Sequence, residues 1–214
     1  MRKRGSFVPD RKKKERAARA VDILEKLYPG AQCSLVYTKP YELLIATRLS
    51  AQCTDARVNI VTRKLFSVYP TLESLASASL DDVEQIVHPC GLFHTKAQDI
   101  LGIADALVHR FGGRVPDTME ELTSLPGVGR KTANLILGDV YKKTAVVCDT
   151  HCIRITNRMG LTDTKDPAKC EQQLREILDP QKSSDFCHRL VMFGREVCTA
   201  RNPRCDQCPF DCKQ

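Results

Sequence analysis

Apolar residues recur along most of the chain at helical rather than strand spacing. In the clearest run, Ala97, Ile100, Leu101, Ala104, Leu107, Val108 and Phe111 share one face, and Gly112-Gly113 stops it. Leu43, Leu44, Ala46, Thr47 and Ser50 mark an earlier helix introduced by Pro40. Leu65, Phe66, Val68 and Tyr69 close another before Pro70. Pro116, Pro126, Pro167 and Pro180 punctuate the rest at the spacing of short helices and short loops. No strand alternation, low-complexity segment or repeat interrupts this pattern, so an all-α fold is expected. Ala145-Val146-Val147, entered from Lys142-Lys143-Thr144, reads either as an extended linker between two units or as the buried start of the next helix. A domain boundary is placed there.

The 214 residues suffice for one substantial core or two small ones. No apolar stretch approaches the length of a membrane span, and Met1-Arg2-Lys3-Arg4 lacks the apolar core of a secretory signal. A soluble intracellular protein without membrane contact is expected, in the cytoplasm or nucleoid of a prokaryotic source. The net charge is +7. Eight basic and two acidic residues fall within positions 1–16, which leaves 25 basic and 24 acidic residues elsewhere. Residues 1–16 therefore read as a basic mobile tail that adds non-specific attraction to phosphate.

The string Leu125-Pro126-Gly127-Val128-Gly129-Arg130-Lys131 is the first specific motif. Pro126 ends one helix. Gly127 and Gly129 permit positive φ and close backbone approach to a ligand. A second helix begins near Arg130 and continues through Ala133, Ile136 and Leu137. Its unpaired N–H groups and partial positive charge suit a phosphate. This is the pattern of a helix–hairpin–helix, which grips DNA backbone without reading sequence.

Lys131 falls in the first turn of that second helix, where the macrodipole, and partial burial if present, disfavour an ammonium. It suits a nucleophilic amine and a plain phosphate contact equally well. Asp149, in Cys148-Asp149-Thr150-His151, fits a helix N-cap, and it also fits an acid–base or electrostatic partner for an amine.

Eleven cysteines without a signal peptide argue against a disulfide scaffold. Cys33, Cys53, Cys90, Cys148, Cys152, Cys170 and Cys187 are scattered and read as small buried hydrophobes. Cys198, Cys205, Cys208 and Cys212 follow C-x6-C-x2-C-x3-C, which marks a metal or cluster site. The pattern lacks the paired knuckles usual for zinc, so a [4Fe–4S] cluster is favoured and zinc is the alternative. Arg201 and Arg204 in that loop are solvated charges or phosphate contacts.

Taken together, five segments resemble the endonuclease III family of DNA glycosylases. They are Leu49-Ser50-Ala51-Gln52-Cys53-Thr54-Asp55, Gly91-Leu92-Phe93-His94-Thr95-Lys96-Ala97, the Leu125–Asn134 hairpin, Cys148-Asp149-Thr150-His151 and the cysteine loop. The similarity runs from about residue 20 to the C-terminus. It implies two helical domains, a six-helix bundle over about 33–144 and a cluster domain built from 1–32 and 145–214, with DNA between them. The resemblance makes Lys131 the nucleophile and Asp149 its carboxylate partner. It makes Gln52 the residue that fills the gap left by a flipped base, and Leu92 an apolar wedge, whose other reading is core packing. Ser50, Asp55 and His151 match motif positions without a firm role. Two departures stand out: the last two cluster cysteines are three residues apart where the family usually has five, and Cys53 replaces a more familiar alanine.

The function expected is a monomeric, bifunctional glycosylase and abasic-site lyase acting on oxidised or ring-saturated pyrimidines in duplex DNA. The alternatives are a glycosylase for mismatched adenine, pyrimidine dimers or deaminated bases on the same scaffold, and a non-enzymatic DNA-binding redox module. Adenine-specific relatives lack the lysine and carry an extra C-terminal domain, whereas this chain has the lysine and lacks that domain.

Overall fold

In the computed structural model, residues 11–212 are described, and among them eleven α-helices and no strands occur. The chain divides into two compact units, residues 33–142 and residues 1–32 with 143–214. Among the described residues, no helix is long and apolar enough to cross a membrane.

The bundle unit contains α2 (Pro40–Leu49), α3 (Asp55–Val68), α4 (Leu72–Ala76), α5 (Leu80–Val87), α6 (Phe93–His109), α7 (Met119–Thr123) and α8 (Arg130–Asp139). Local sequence explains most of the boundaries. Pro40 occupies the first turn of α2, and Glu42 Oε2 accepts from the Thr38 and Lys39 backbone N–H groups at 2.7 and 3.1 Å. Thr54, Ser79 and Thr118 cap α3, α5 and α7. α3 ends at Val68, just before Pro70. α6 ends before Gly112 and Gly113, which take φ of +59° and +78°. The buried face of α6, with Ala97, Ile100, Ala104 and Leu107, follows the predicted stripe and adds Ile103 and Ala106.

The terminal unit contains α1 (Arg11–Leu27), α9 (Thr150–Arg158), α10 (Pro167–Ile177) and α11 (Ser183–Glu196). Its core joins Ala17, Ala20, Val21 and Leu24 of α1 to Ile155, Leu174, Phe186, Leu190 and Phe193. The tail expectation needs correction at its second half. Positions 11–16 form the start of α1, because an apolar face at helical spacing begins at Ala17 and an Arg11–Glu15 pair at 2.7 Å supports the preceding turn. The first ten residues lie outside the described part of the chain. Residues 142–149 belong to no helix, so Ala145-Val146-Val147 is a connection rather than a helix start. Ala145 and Val146 are nonetheless fully buried.

Candidate functional site

In the bundle unit, the segment from Ser124 to Gly129 links α7 to α8 and is held by its apolar residues, with Leu125 and Val128 buried. Gly102 of α6 allows Pro126 to pack close, since a Cβ there would lie 2.9 Å from the proline ring. Gly127 takes φ +63°, and a Cβ on it would fall 2.4 Å from Asp99 Oδ2 and 2.5 Å from Arg48 Nε. Those two groups form a mostly buried ion pair at 2.6 Å. Gly127 is therefore required twice, by its backbone and by the pair behind it. Gly129 corrects the expectation of positive φ at both glycines. Its φ is −96°, and it serves as the N-cap of α8 with nothing within 4 Å of a built Cβ. The cap has no side-chain acceptor, and Gly129, Arg130 and Lys131 at the start of α8 are exposed.

Lys131 stands in the first turn of α8 and is exposed; the partial burial considered from the sequence is absent.

Gln52 and Leu92 sit on two loops joined by a residue that sequence reasoning left without a role. Lys96 is fully buried, and its Nζ donates to the carbonyls of Leu49, Ala51 and Cys90 at 2.9, 2.7 and 2.8 Å. All three ammonium protons are thereby used, and burial lowers the pKa of the group. The clamped loops carry Gln52 at φ +56° and Leu92 at φ +49°, left-handed conformations that cost a non-glycine residue on the order of 1 kcal/mol or more. Gln52 is exposed and Leu92 is 58% exposed, so Leu92 does not pack in the core. The hairpin rests on Arg48 and the clamp holds Leu49, so these features of the bundle unit meet at the C-terminal end of α2.

In the terminal unit, Asp149 is the N-cap of α9, its Oδ1 accepting from Cys152 N at 2.7 Å. The carboxylate is half-buried, and its capping bond occupies one oxygen only. Further along α9, two arginines that the sequence reading did not single out hold the start of the cysteine loop. Arg154 Nη2 donates to Cys198 O at 2.9 Å, while Arg158 Nη1 donates to Cys198 Sγ at 3.2 Å and to Thr199 O at 2.9 Å. Their i,i+4 spacing was the available signal, but such a pair more often marks a solvated face. Gly194 of α11 makes room for this arrangement, since a Cβ there would come within 2.3 Å of His151 Nδ1.

Cys198 is buried, Cys208 and Cys212 are half-buried and Cys205 is exposed. Phe210 seats the end of the loop edge-on against Phe193, with ring centroids 5.4 Å apart. Burial first, then the surrounding thiols of Cys208, Cys198 and Cys205, push the Cys212 thiol up to about 11. Cys198, Cys205 and Cys208 thus lie within electrostatic reach of Cys212 despite the short last spacing, and four thiolates on one loop are the donor set a cluster takes. Cys212→Ser should lose most of the iron, measured as iron per chain after anaerobic preparation. Retention of about four irons by the variant would show that another ligand serves. Arg201 and Arg204 are exposed on the same loop.

Comparison with known proteins agrees with this geometry. Residues 45–180 match the HhH-GPD superfamily of base excision DNA repair proteins, and residues 198–210 match the iron-sulfur binding domain of endonuclease III. That second match stops before Cys212, where the spacing departs from the usual one. The chain is 46% identical over 197 residues to endonuclease III of Synechocystis sp., covering 92% of this chain and 90% of the relative. It is 39% identical over 191 residues to endonuclease III of Bacillus subtilis, covering 89% and 87%. A solved endonuclease III, trapped as a covalent intermediate with DNA, superposes with a TM-score of 0.88 at 38% identity and covers 94% of this chain and 95% of that one. The cysteine loop accordingly carries a [4Fe–4S] cluster. With its all-helical fold, its helix–hairpin–helix and its cluster loop, the chain belongs to the endonuclease III family, the iron–sulfur DNA glycosylases and abasic-site lyases of base excision repair.

Proposed function

We propose that this enzyme excises oxidised or ring-saturated pyrimidines from duplex DNA and then nicks the strand, with Lys131 as nucleophile and Asp149 as its carboxylate partner. The observation that carries this reading is the exposed Lys131 amine in the first turn of α8, directly behind an exposed hairpin that opens a helix N-terminus, which suits a phosphate. The trapped covalent intermediate of the solved relative supports a covalent route.

The neutral amine attacks C1′ of the damaged nucleotide. A C–N bond forms, the glycosidic bond breaks, and the base leaves with a proton. The C1′–O4′ bond then breaks, O4′ takes up a proton, and the ring-opened iminium at C1′ draws electrons from the C2′–H bond. Loss of that proton forms the C1′–C2′ enamine, which expels the 3′ phosphate by β-elimination. Asp149 stabilises the cationic sugar and moves protons at the second step. Cys198, Cys205, Cys208 and Cys212 would hold the iron–sulfur cluster, which would supply a rigid cross-link for their loop. Arg201 and Arg204 then meet phosphates from a fixed loop, and the Gly127 and Gly129 backbone meets phosphates from the hairpin.

Gln52 and Leu92 support the flipped state. Gln52 both donates and accepts, which suits the face of an orphaned base, and Leu92 is an exposed apolar side chain of the size of a wedge. Held by Lys96, both are positioned before DNA arrives, which reduces the ordering cost of flipping. Gln52→Ala should slow base release roughly tenfold or more while sparing cleavage of pre-formed abasic sites. Equal loss of both activities would place Gln52 in the chemistry. The enzyme acts as a monomer, since one chain supplies every proposed group. The lesion class is tested by a panel of duplexes with one defined lesion each, scored for base release. Ring-saturated pyrimidines should lead, and a preference for mismatched adenine or for deaminated bases would reassign the substrate.

A further inference from the structure

Four cysteines that look scattered in the sequence converge in the terminal unit. The Sγ atoms of Cys148, Cys152 and Cys170 all lie within 4.8 Å of one another. Cys187 stands beside them, close enough to act on the Cys152 thiol but outside that 4.8 Å group. The four come from the segment before α9, the first turn of α9, α10 and α11. They are every cysteine of this unit outside the iron–sulfur loop. Each is buried, with relative exposures of 8, 0, 0 and 2% in chain order. Cysteines used only as small hydrophobes have no reason to bring three sulfurs together from three segments with a fourth beside them.

From this convergence we propose that Cys148, Cys152, Cys170 and Cys187 form a second metal site, which binds one thiophilic divalent cation of zinc's class. Tetrahedral zinc holds sulfur at about 2.3 Å, which places neighbouring sulfurs about 3.8 Å apart. The three sulfurs already within 4.8 Å need to draw in by roughly an ångström to meet that geometry, and Cys187 closes in from further out as the fourth ligand. A cubane attaches each ligand to a separate iron and needs a wider arrangement, so this site takes a single ion. An all-sulfur donor set selects soft cations over magnesium or calcium. The α9 N-terminus adds its positive dipole end beside Cys148 and Cys152, which favours thiolates. The Thr156 hydroxyl lies 3.8 Å from Cys170 Sγ and 2.8 Å from the Thr162 hydroxyl, a small polar group beside the sulfurs. Binding displaces the thiol protons, so the ion enters with their release and is held from folding onward. The site ties the start of α9 to α10 and α11 and so stiffens the helix that carries Asp149, Arg154 and Arg158.

The test uses the full chain with its iron–sulfur cluster intact, with zinc(II) alone as probe. After equilibration with zinc and removal of loosely held ion, zinc and iron are counted in the same sample. About one zinc per chain with unchanged iron, and a Tm that rises with zinc, is the expected result. The double variant Cys152→Ala/Cys170→Ala should lose both the zinc and the zinc-dependent rise in Tm while keeping its iron. Cys187→Ser, a milder change that leaves three sulfurs, guards against a double variant that fails to fold, and it should hold zinc at least roughly tenfold more weakly. The proposal is overturned if the intact protein takes up no zinc, if zinc enters only as iron leaves, if the double variant binds zinc as well as the parent, or if a thiol count finds a disulfide among the four.

Discussion

Replacing Lys131 with glutamine should abolish strand nicking and borohydride-trapped adduct formation, a loss on the order of 10³-fold or more, while DNA affinity changes only a few-fold. The contrast follows from where the side chain sits. Lys131 is exposed, so its replacement should leave stability within about 0.5 kcal/mol. The hairpin is built by Leu125, Val128, Gly127 and the Arg48–Asp99 pair, all untouched by the change. A nicking enzyme needs an amine because only an imine at C1′ acidifies the C2′ proton sufficiently. Water would stop at the abasic site. Nicking assays on lesion duplexes and on pre-formed abasic duplexes measure the two steps separately, and both should vanish. If Lys131→Gln still nicked abasic DNA at the parent rate, the amine would be elsewhere.

Asp149→Asn should slow base release roughly 10²-fold with little change in Tm. Asparagine caps a helix as well as aspartate, so the bond from Cys152 N survives and α9 keeps its start. Only the charge and the proton-accepting capacity are lost. Asp149→Ala serves as the control, since it removes the cap as well and should cost about 1 kcal/mol of stability on top of the catalytic loss. Single-turnover base release and thermal melting on both variants separate the roles. Parent-like turnover in Asp149→Asn would reduce Asp149 to a cap.

Much of the fold was legible because its signals are local. Gly112-Gly113 and Pro70 stop helices where they stand in sequence, and the apolar stripe of α6 reads directly as a buried face. The cysteine loop announced itself by crowding four soft donors into a short segment. What stayed hidden depends on distant partners. Lys96 looks like a surface lysine until the fold brings three carbonyls onto its amine, two of them more than forty residues away. Arg48 and Asp99 are 51 residues apart, so nothing in the hairpin string revealed why Gly127 admits no side chain. The basic run at Arg11–Arg16 looked unstructured because charge composition describes solvation, whereas the helix there is an extension of the apolar face beginning at Ala17. Cysteines 148, 152 and 170 seemed scattered for the same reason, because no local periodicity encodes their meeting.

The central claim is that the Lys131 amine makes the bond to C1′. It is tested most directly by reducing the protein with borohydride on a duplex carrying one ring-saturated pyrimidine, digesting the trapped complex, and mapping the modified peptide by mass spectrometry. A sugar remnant on Lys131, in the peptide that follows the Gly127-Val128-Gly129 turn, is the expected result. An adduct on a different lysine or on the N-terminal amine, or base release with no adduct at all, would contradict it.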